Sequence, residues 1–212
     1  SSGNRRKLAQ QHGQRPNWFY PTRREERKAL RRADVIIAIQ EHEQRFFQHL
    51  VPEREVVTVG HFVELCPLPF KAEGRPTLLF LASSNPVNLY GFNHFLRESW
   101  PIIQAQAPDV KLLVAGSLCQ ALPDHAAYAK LGAVNSAQDA YSCADIVISP
   151  ILFGTGLKIK NVEALGCAKP LVTTPIGAEG LDAGMQTAFV AAPMPDEFAN
   201  RIIELLTNSE LR

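Results

Sequence analysis

Ala144 to Leu181 reads ADIVISPILFGTGLKIKNVEALGCAKPLVTTPIGAEGL, and this stretch decides the fold. Asp145 to Pro150 is a short apolar, β-rich run. Gly154 and Gly156 then break the chain. Leu157 to Ala168 has helical spacing, with Leu157, Val162, Leu165 and Gly166 near one face. Pro170 to Thr174 is a second strand, closed by Pro175 and Gly177. Together these make one βαβ unit with a glycine-rich loop at the carboxyl end of its first strand. In an open parallel sheet, ligands sit outside those strand ends, at a helix N-terminus whose unpaired N–H groups and dipole favour an anion. Phosphate is the natural guest.

The same alternation continues outward in both directions. Upstream, Thr77–Ala82 (TLLFLA) reads as a strand, Phe92–Ala107 as a helix, Lys111–Ala115 as a strand, Leu131–Val134 as a brief strand and Gln138–Cys143 as a short helix. Downstream, Ala188–Ala191 is a last strand and Glu197–Leu206 an amphipathic helix. Strands alternating with helices over short connections predict an α/β fold with a doubly wound parallel sheet. Nearer the start, Asp34–Ile39 and Glu55–Gly60 are strands around a helix over Glu41–Leu50. Thr22 opens a helix to about Ala33, with Glu25 three residues on as a capping box. Residues 4–12 have the pattern of a further short helix. Residues 61–76, punctuated by Pro67, Pro69, Gly74 and Pro76, read as irregular chain. The expected organisation is a partial α/β segment over 1–64, a linker over 65–76 and a second α/β domain over 77–212.

Composition narrows the classes. The chain has 212 residues, 46% of them hydrophobic, enough for a real core. No apolar run is long enough to span a bilayer, and the reading expects a cytoplasmic protein. Cys66, Cys119, Cys143 and Cys167 show no CxxC spacing and read as reduced thiols; no metal site and no cofactor are expected. Residues 1–32 hold ten Lys/Arg against two Glu, whereas residues 33–212 hold twelve against nineteen. A basic leading segment suits an anionic membrane surface or an acidic substrate, but the favoured reading is a solvated helix face.

The order of the motifs resembles the retaining glycosyltransferases of two facing Rossmann-like domains, the GT-B fold, in the large family-4-like, group 1 type. The likeness is carried by residues 33–64, by LLFLASSNPVNLYGFNHFLRESWP at 78–101, and by GAV, YSCADIVISP, GTGLKIKNVEALGCAKPLVTT and GAEGL within 132–181. The resemblance implies a donor-binding domain over 77–212 and the remainder of an acceptor-side domain before it. It also implies transfer of a sugar from a nucleoside diphosphate sugar to an acceptor hydroxyl. The implied partners are the nucleotide-sugar donor and a sugar or lipid-linked acceptor, with peripheral contact to the inner face of a membrane through residues 1–32 and no nucleic acid. The chain then reads as a truncated enzyme that is inactive alone.

By this resemblance Glu163 accepts hydrogen bonds from the ribose hydroxyls, the alternative being a surface helix glutamate. Gly154, Thr155, Gly156 and Leu157 hold sugar or diphosphate through backbone N–H groups, the alternative being an ordinary strand-to-helix turn. Lys160, or Lys158, steadies the leaving diphosphate; residues two apart do not share a helix face, so one of them serves. Ser84 and Asn88 contact phosphate as neutral donors or are plain loop residues. Val134 and Asn135 lie where the family holds the base. Two positions depart from the family pattern. Thr155 stands where a glutamate is common, and the loop SSNPVNLYG lacks cations. The rival reading, a non-catalytic nucleotide-sugar-binding or scaffold protein of this fold, rests on both. A nicotinamide dehydrogenase is disfavoured because no G-x-G-x-x-G follows the first strand of either series.

The charge asymmetry makes a direct expectation. The 212-residue chain should co-sediment with anionic liposomes at low salt and release as salt rises, because exposed charges are screened beyond about 8 Å at physiological ionic strength. Absence of binding at low salt would leave only the solvated helix face.

Overall fold

A computed structural model describes residues 21–69, 74–208 and 210–211; the helix expected over 4–12 lies outside them. The described residues fall into two compact units.

The first unit takes in the described residues up to Phe62 together with Phe153–Leu157 and Glu179–Leu181. Helix α1 (Arg23–Leu30) opens with the expected capping box: the Glu25 amide donates to the Thr22 hydroxyl, and the Thr22 amide to the Glu25 carboxylate at 2.7 Å. It ends three residues before Ala33, because a turn at Arg31–Arg32 brings Ala33 into the core. Strand β1 (Val35–Ala38), helix α2 (Glu41–Leu50) and strand β2 (Glu55–Thr58) form a parallel βαβ unit. Ile36, Ala38, Val51 and Val56 make its core, with Leu30, Ala33 and Phe47 packed on it. The other face of β1 carries Val35 and Ile37, 48% and 63% exposed.

The second unit is built on a six-stranded sheet. In chain order it holds β3 (Thr77–Leu81), α3 (Pro86–His94), a π-helical turn (Phe95–Ser99), α4 (Trp100–Gln106), β4 (Lys111–Ala115), α5 (Leu118–Ala121) and β5 (Ala129–Gly132). Then come α6 (Ala137–Ser142), β6 (Ile146–Ser149), α7 (Ile159–Gly166), β7 (Leu171–Thr173), a 3₁₀ turn, β8 (Val190–Ala191) and α8 (Asp196–Thr207). All strand pairs are parallel, in the order β5-β4-β3-β6-β7-β8. The chain winds outward from β3 one way and from β6 the other, so the carboxyl ends of these two neighbours border the crevice of a doubly wound sheet. Both strands are apolar runs buried along nearly their whole length, as parallel strands covered on both faces must be.

Helix α3 begins six residues before the expected Phe92. Asn85 caps it, its side chain accepting from the Asn88 amide at 2.9 Å, and Pro86 sits in the first turn, where its missing N–H costs nothing. The expected start was read from the apolar spacing that begins at Phe92 and passed over the Asn85–Pro86 cap, although Val87 and Leu89 also pack against the core. One residue, Trp100, separates the π-helical turn from Pro101, which cannot donate within a helix; the Trp100 amide reaches back to the Phe95 carbonyl.

Gly91 on α3 lies against the Pro150 carbonyl at the end of β6, and a Cβ there would collide with backbone. Gly91→Ala is therefore expected to destabilise the fold by ~1–3 kcal/mol despite alanine's better helix propensity, read as a lower urea midpoint. An unchanged midpoint would show that α3 can move off β6.

Candidate functional site

The residues flanking the ends of β3 and β6 converge on one lysine. Lys160 lies in the first turn of α7, the helix that follows β6. Its Nζ donates to Asn88 Oδ1 at 2.8 Å and sits 4.5 Å above the centre of the Phe80 ring. Phe80 belongs to β3 and Asn88 to α3, so this contact bridges the point where the two halves of the sheet diverge. Asn88 is buried and fully used: its Nδ2 donates to the Ser83 carbonyl at 2.9 Å and its Oδ1 accepts from Lys160. The expected phosphate donor Asn88 is thus the acceptor that holds a cation in place.

Every partner of the Lys160 ammonium is neutral, and the salt bridges among the described residues do not include it. The residue as a whole is half-buried, and its charged end is the enclosed part. Burial first, and the like charge of Lys158 second, push its pKa down to about 7. An ammonium has three donors, and one amide oxygen satisfies one. An enclosed cation of this kind attracts an anion that can reach it.

One turn further along α7 lies the half-buried Glu163, and α6 carries Tyr141. The Tyr141 ring is fully buried, and its hydroxyl donates to the Lys160 carbonyl at 2.8 Å. Burial, then the Glu163 charge, holds the phenol well above its ordinary range, so it stays a donor. Below, Asn161 anchors α7 to the sheet: its Nδ2 donates to the Gly177 carbonyl at 2.9 Å and to Thr173 Oγ1 at 3.3 Å, and Thr173 donates to the Ser149 carbonyl at 3.0 Å. The Thr174 hydroxyl donates to the Ile151 carbonyl. These bonds tie the helix and the ends of β6 and β7 into one rigid support.

The remaining expected residues are placed as follows. Lys158 is half-buried at the N-cap of α7. Ser84 is exposed, its amide donating to Ser117 Oγ at 2.9 Å beside the end of β4. Val134 is half-buried and Asn135 exposed in the loop between β5 and α6. Gly154, Thr155, Gly156 and Leu157 belong to the first unit. There Gly154 and Gly156 adopt φ of 121° and 84°, which only glycine takes without strain. The Gly156 amide donates to the Glu179 carboxylate at 2.9 Å, so the chain supplies an anion of its own to this loop. Sequence reasoning did not single out Phe80, Tyr141, Asn161 or Glu179. Tyr141 and Asn161 look like ordinary helix residues until the sheet brings their partners close. No group of three His, Cys, Asp or Glu among the described residues could hold a metal ion, and no described helix is long and apolar enough to cross a membrane.

Comparison with known proteins bears on this geometry. Residues 75–208 match the family model described as glycosyl transferases group 1. A Klebsiella pneumoniae protein, described as an uncharacterized 44.6 kDa protein in the cps region, is 29% identical over 58% of this chain and 35% of its own length. Two solved structures share the fold. A Staphylococcus aureus TarM mutant in complex with fondaparinux, alpha-GlcNAc-glycerol and UDP superposes at a TM-score of 0.70 with 14% identity, over 92% of this chain and 42% of its own. Anabaena HepE in complex with UDP and glucose gives 0.68 and 14%, over 96% and 60%. The chain therefore spans between about a third and three fifths of each of these relatives. The parallel sheet is that of GT-B glycosyltransferases. On the match over 75–208, which takes in the sheet, Lys160 and Glu163, this chain belongs to the glycosyl transferases group 1 family.

Proposed function

We propose that this chain carries the donor-binding part of a retaining, family-4-like glycosyltransferase, which moves a sugar from a nucleoside diphosphate sugar to an acceptor hydroxyl. The observation that carries the reading is the enclosed Lys160 ammonium at the switch point, held by Asn88 and Phe80 and salt-bridged to no carboxylate among the described residues. A diphosphate supplies the missing charge, and the same contact stabilises the leaving group as negative charge builds on it. Glu163, one turn along α7, accepts from the ribose hydroxyls. UDP is bound in both structural neighbours and is the nucleotide to try first. The relative from a cps region points to polysaccharide assembly as the setting. A lipid-linked acceptor would suit the basic segment over 1–32. Residues 1–212 alone are expected to bind donor without turning it over.

Lys160 sets a pH signature. Its folded pKa lies below its unfolded value, so between about 7 and the ordinary 10.5 the unfolded chain binds more protons and this group's contribution to stability rises with pH. Below about 7 the enclosed charge costs stability in full. Lys160→Met should therefore raise the melting temperature at pH 6 by at least ~2 °C, with the gain shrinking towards pH 10. The same variant should bind UDP at least ~10-fold more weakly at pH 6.5 by calorimetry. In the wild type, UDP affinity should fall from pH 7 to 9, after the phosphate's own ionisation near pH ~6 is complete. A Lys160→Met protein that is no more stable and binds UDP as well as the wild type would remove the lysine from the site.

Glu163→Gln keeps size and removes the charge. It should weaken uridine, UMP and UDP alike by roughly tenfold, because a hydrogen bond to a charged acceptor is worth about 1.5–3 kcal/mol against about 1 for a neutral one. A loss confined to UDP would place Glu163 beside the phosphates instead of the ribose.

A further inference from the structure

The chain that leads into β3 is irregular, yet its first part lies along the carboxyl end of α7. The Cys66 amide donates to the Gly166 carbonyl at 2.9 Å, and the Leu68 amide to the Cys167 carbonyl at 3.0 Å. Val63 takes the space over Gly166, where a Cβ would come within 2.7 Å of Val63 Cγ2. Further on, the ammonium of Lys169, a residue only 2% exposed, donates to the Pro69 carbonyl at 3.2 Å and to the Ala144 carbonyl at 3.1 Å. A buried ammonium needs such acceptors, and one of them comes from this segment. Residues 63–69 are thus a strap docked on the second unit, to which all these partners belong.

The docking sets two cysteines side by side. Cys66 is exposed and Cys167 is buried. The Gly166 carbonyl that accepts from the Cys66 amide belongs to the peptide that leads into Cys167. That hydrogen bond and standard peptide dimensions keep the two Cα atoms within about 7 Å, and disulfides join Cα atoms about 4.4–6.8 Å apart. The other two thiols are engaged in their own segments. Cys119 Sγ donates to the Val114 carbonyl at 3.2 Å, and Cys143 Sγ to the Asp139 carbonyl at 3.5 Å. The two neighbours also differ in access. Burial first, then Cys66, hold the Cys167 thiol above its ordinary range, so it stays protonated and meets dissolved reagents slowly. Cys66 is open to them. Once Cys66 carries a leaving group, Cys167 is the thiol at hand, at the high effective concentration of an intramolecular partner.

We propose that Cys66 and Cys167 form a reversible redox site, at which a small disulfide of the glutathione class closes a bridge that clamps residues 63–69 to the end of α7. The Cys66 thiolate attacks one sulfur of the small disulfide. The S–S bond of the reagent breaks, a mixed disulfide forms on Cys66, and the other half leaves as a thiolate that takes up a proton. The Cys167 thiolate then attacks the Cys66 sulfur, the Cys66–Cys167 bond forms, and the second half leaves in the same way. Two protein thiols are oxidised and one small disulfide is reduced to two thiols. A dithiol reverses both steps. The clamp sits one turn beyond Glu163, whose carbonyl accepts from the Cys167 amide at 3.0 Å. The site does not rest on the nucleotide-sugar reading, and its test involves no nucleotide.

The test uses the reduced 212-residue chain, freed of reductant and incubated with oxidised glutathione in native buffer. The four thiols of the chain should fall to two, and an unreduced peptide map should show Cys66 joined to Cys167. Because the bridge closes a long loop, the melting temperature should rise by at least ~4 °C and return on addition of dithiothreitol. Cys167→Ser should stop at the mixed disulfide, with one glutathione retained on Cys66 and no rise in melting temperature. Cys66→Ser should form no bridge. Four thiols still free in the wild type, glutathione retained on its Cys66, or a bridge to Cys119 or Cys143 would each overturn the proposal. So would a bridged chain that melts below the reduced one, since it would show that the native backbone does not hold the two cysteines at bridging distance. The wild-type map needs no variant, so the outcome stands even if Cys167→Ser folds poorly.

Discussion

The pairing of β3 with β6 is the constraint on which the second unit depends. The two strands are separated by two other strands and their helices in sequence, yet they lie side by side with Leu78 opposite Ile146 and Leu79 opposite Val147. Their start is locked by a reciprocal contact: the Thr77 amide donates to the buried Asp145 carboxylate at 2.8 Å, and the Asp145 amide to the Thr77 carbonyl at 3.0 Å. A one-residue slip would turn every side chain of a strand to the other face of the sheet and would cost both bonds. Because the chain winds outward from this pair in both directions, the connections leaving the two strand ends diverge, and α3 and α7 begin there. The placement of Asn88 opposite Lys160 follows from that pairing.

Lys160 shows how such a site differs from a packing solution. Taking an ammonium out of water is costly, and proteins usually offset it with a carboxylate. Here the offset is an amide oxygen and an aromatic face, both weaker partners. A methionine would fill the space at less cost to the folded chain. The support around the lysine is correspondingly stiff: Asn88 is braced by Ser83, Asn161 by Gly177 and Thr173, and Thr173 by Ser149.

The glycine loop makes a related point in the first unit. Its positive-φ glycines present backbone N–H groups, the usual cradle of an anion, but the Gly156 amide already meets the Glu179 carboxylate. The sequence motif marks a place where N–H groups are gathered. It does not say which acceptor takes them, and here one acceptor comes from the chain itself, 23 residues on.

Much was legible in the sequence alone because it is local. Short apolar runs marked β1, β2, β3, β4 and β6, the Thr22–Glu25 box marked the start of α1, and glycines marked the loop before α7; each signal arises within a few residues. Glu163 and Lys160 were reached through the motif around them. Local pattern misled at the start of α3, where the Asn85 cap and Pro86 mark the helix start ahead of the apolar spacing that begins at Phe92. What the sequence could not hold is the set of partners. That Asn88 accepts from a lysine 72 residues away, that Phe80 lies beneath the same ammonium, and that Tyr141 reaches the carbonyl of Lys160 all depend on the strand order β5-β4-β3-β6-β7-β8. Only the folded sheet brings these groups within hydrogen-bond distance, and only burial there turns an ordinary lysine into one poised near neutral pH. A pattern along the chain carries the type of each residue, but desolvation and pairing are properties of the space that the fold encloses.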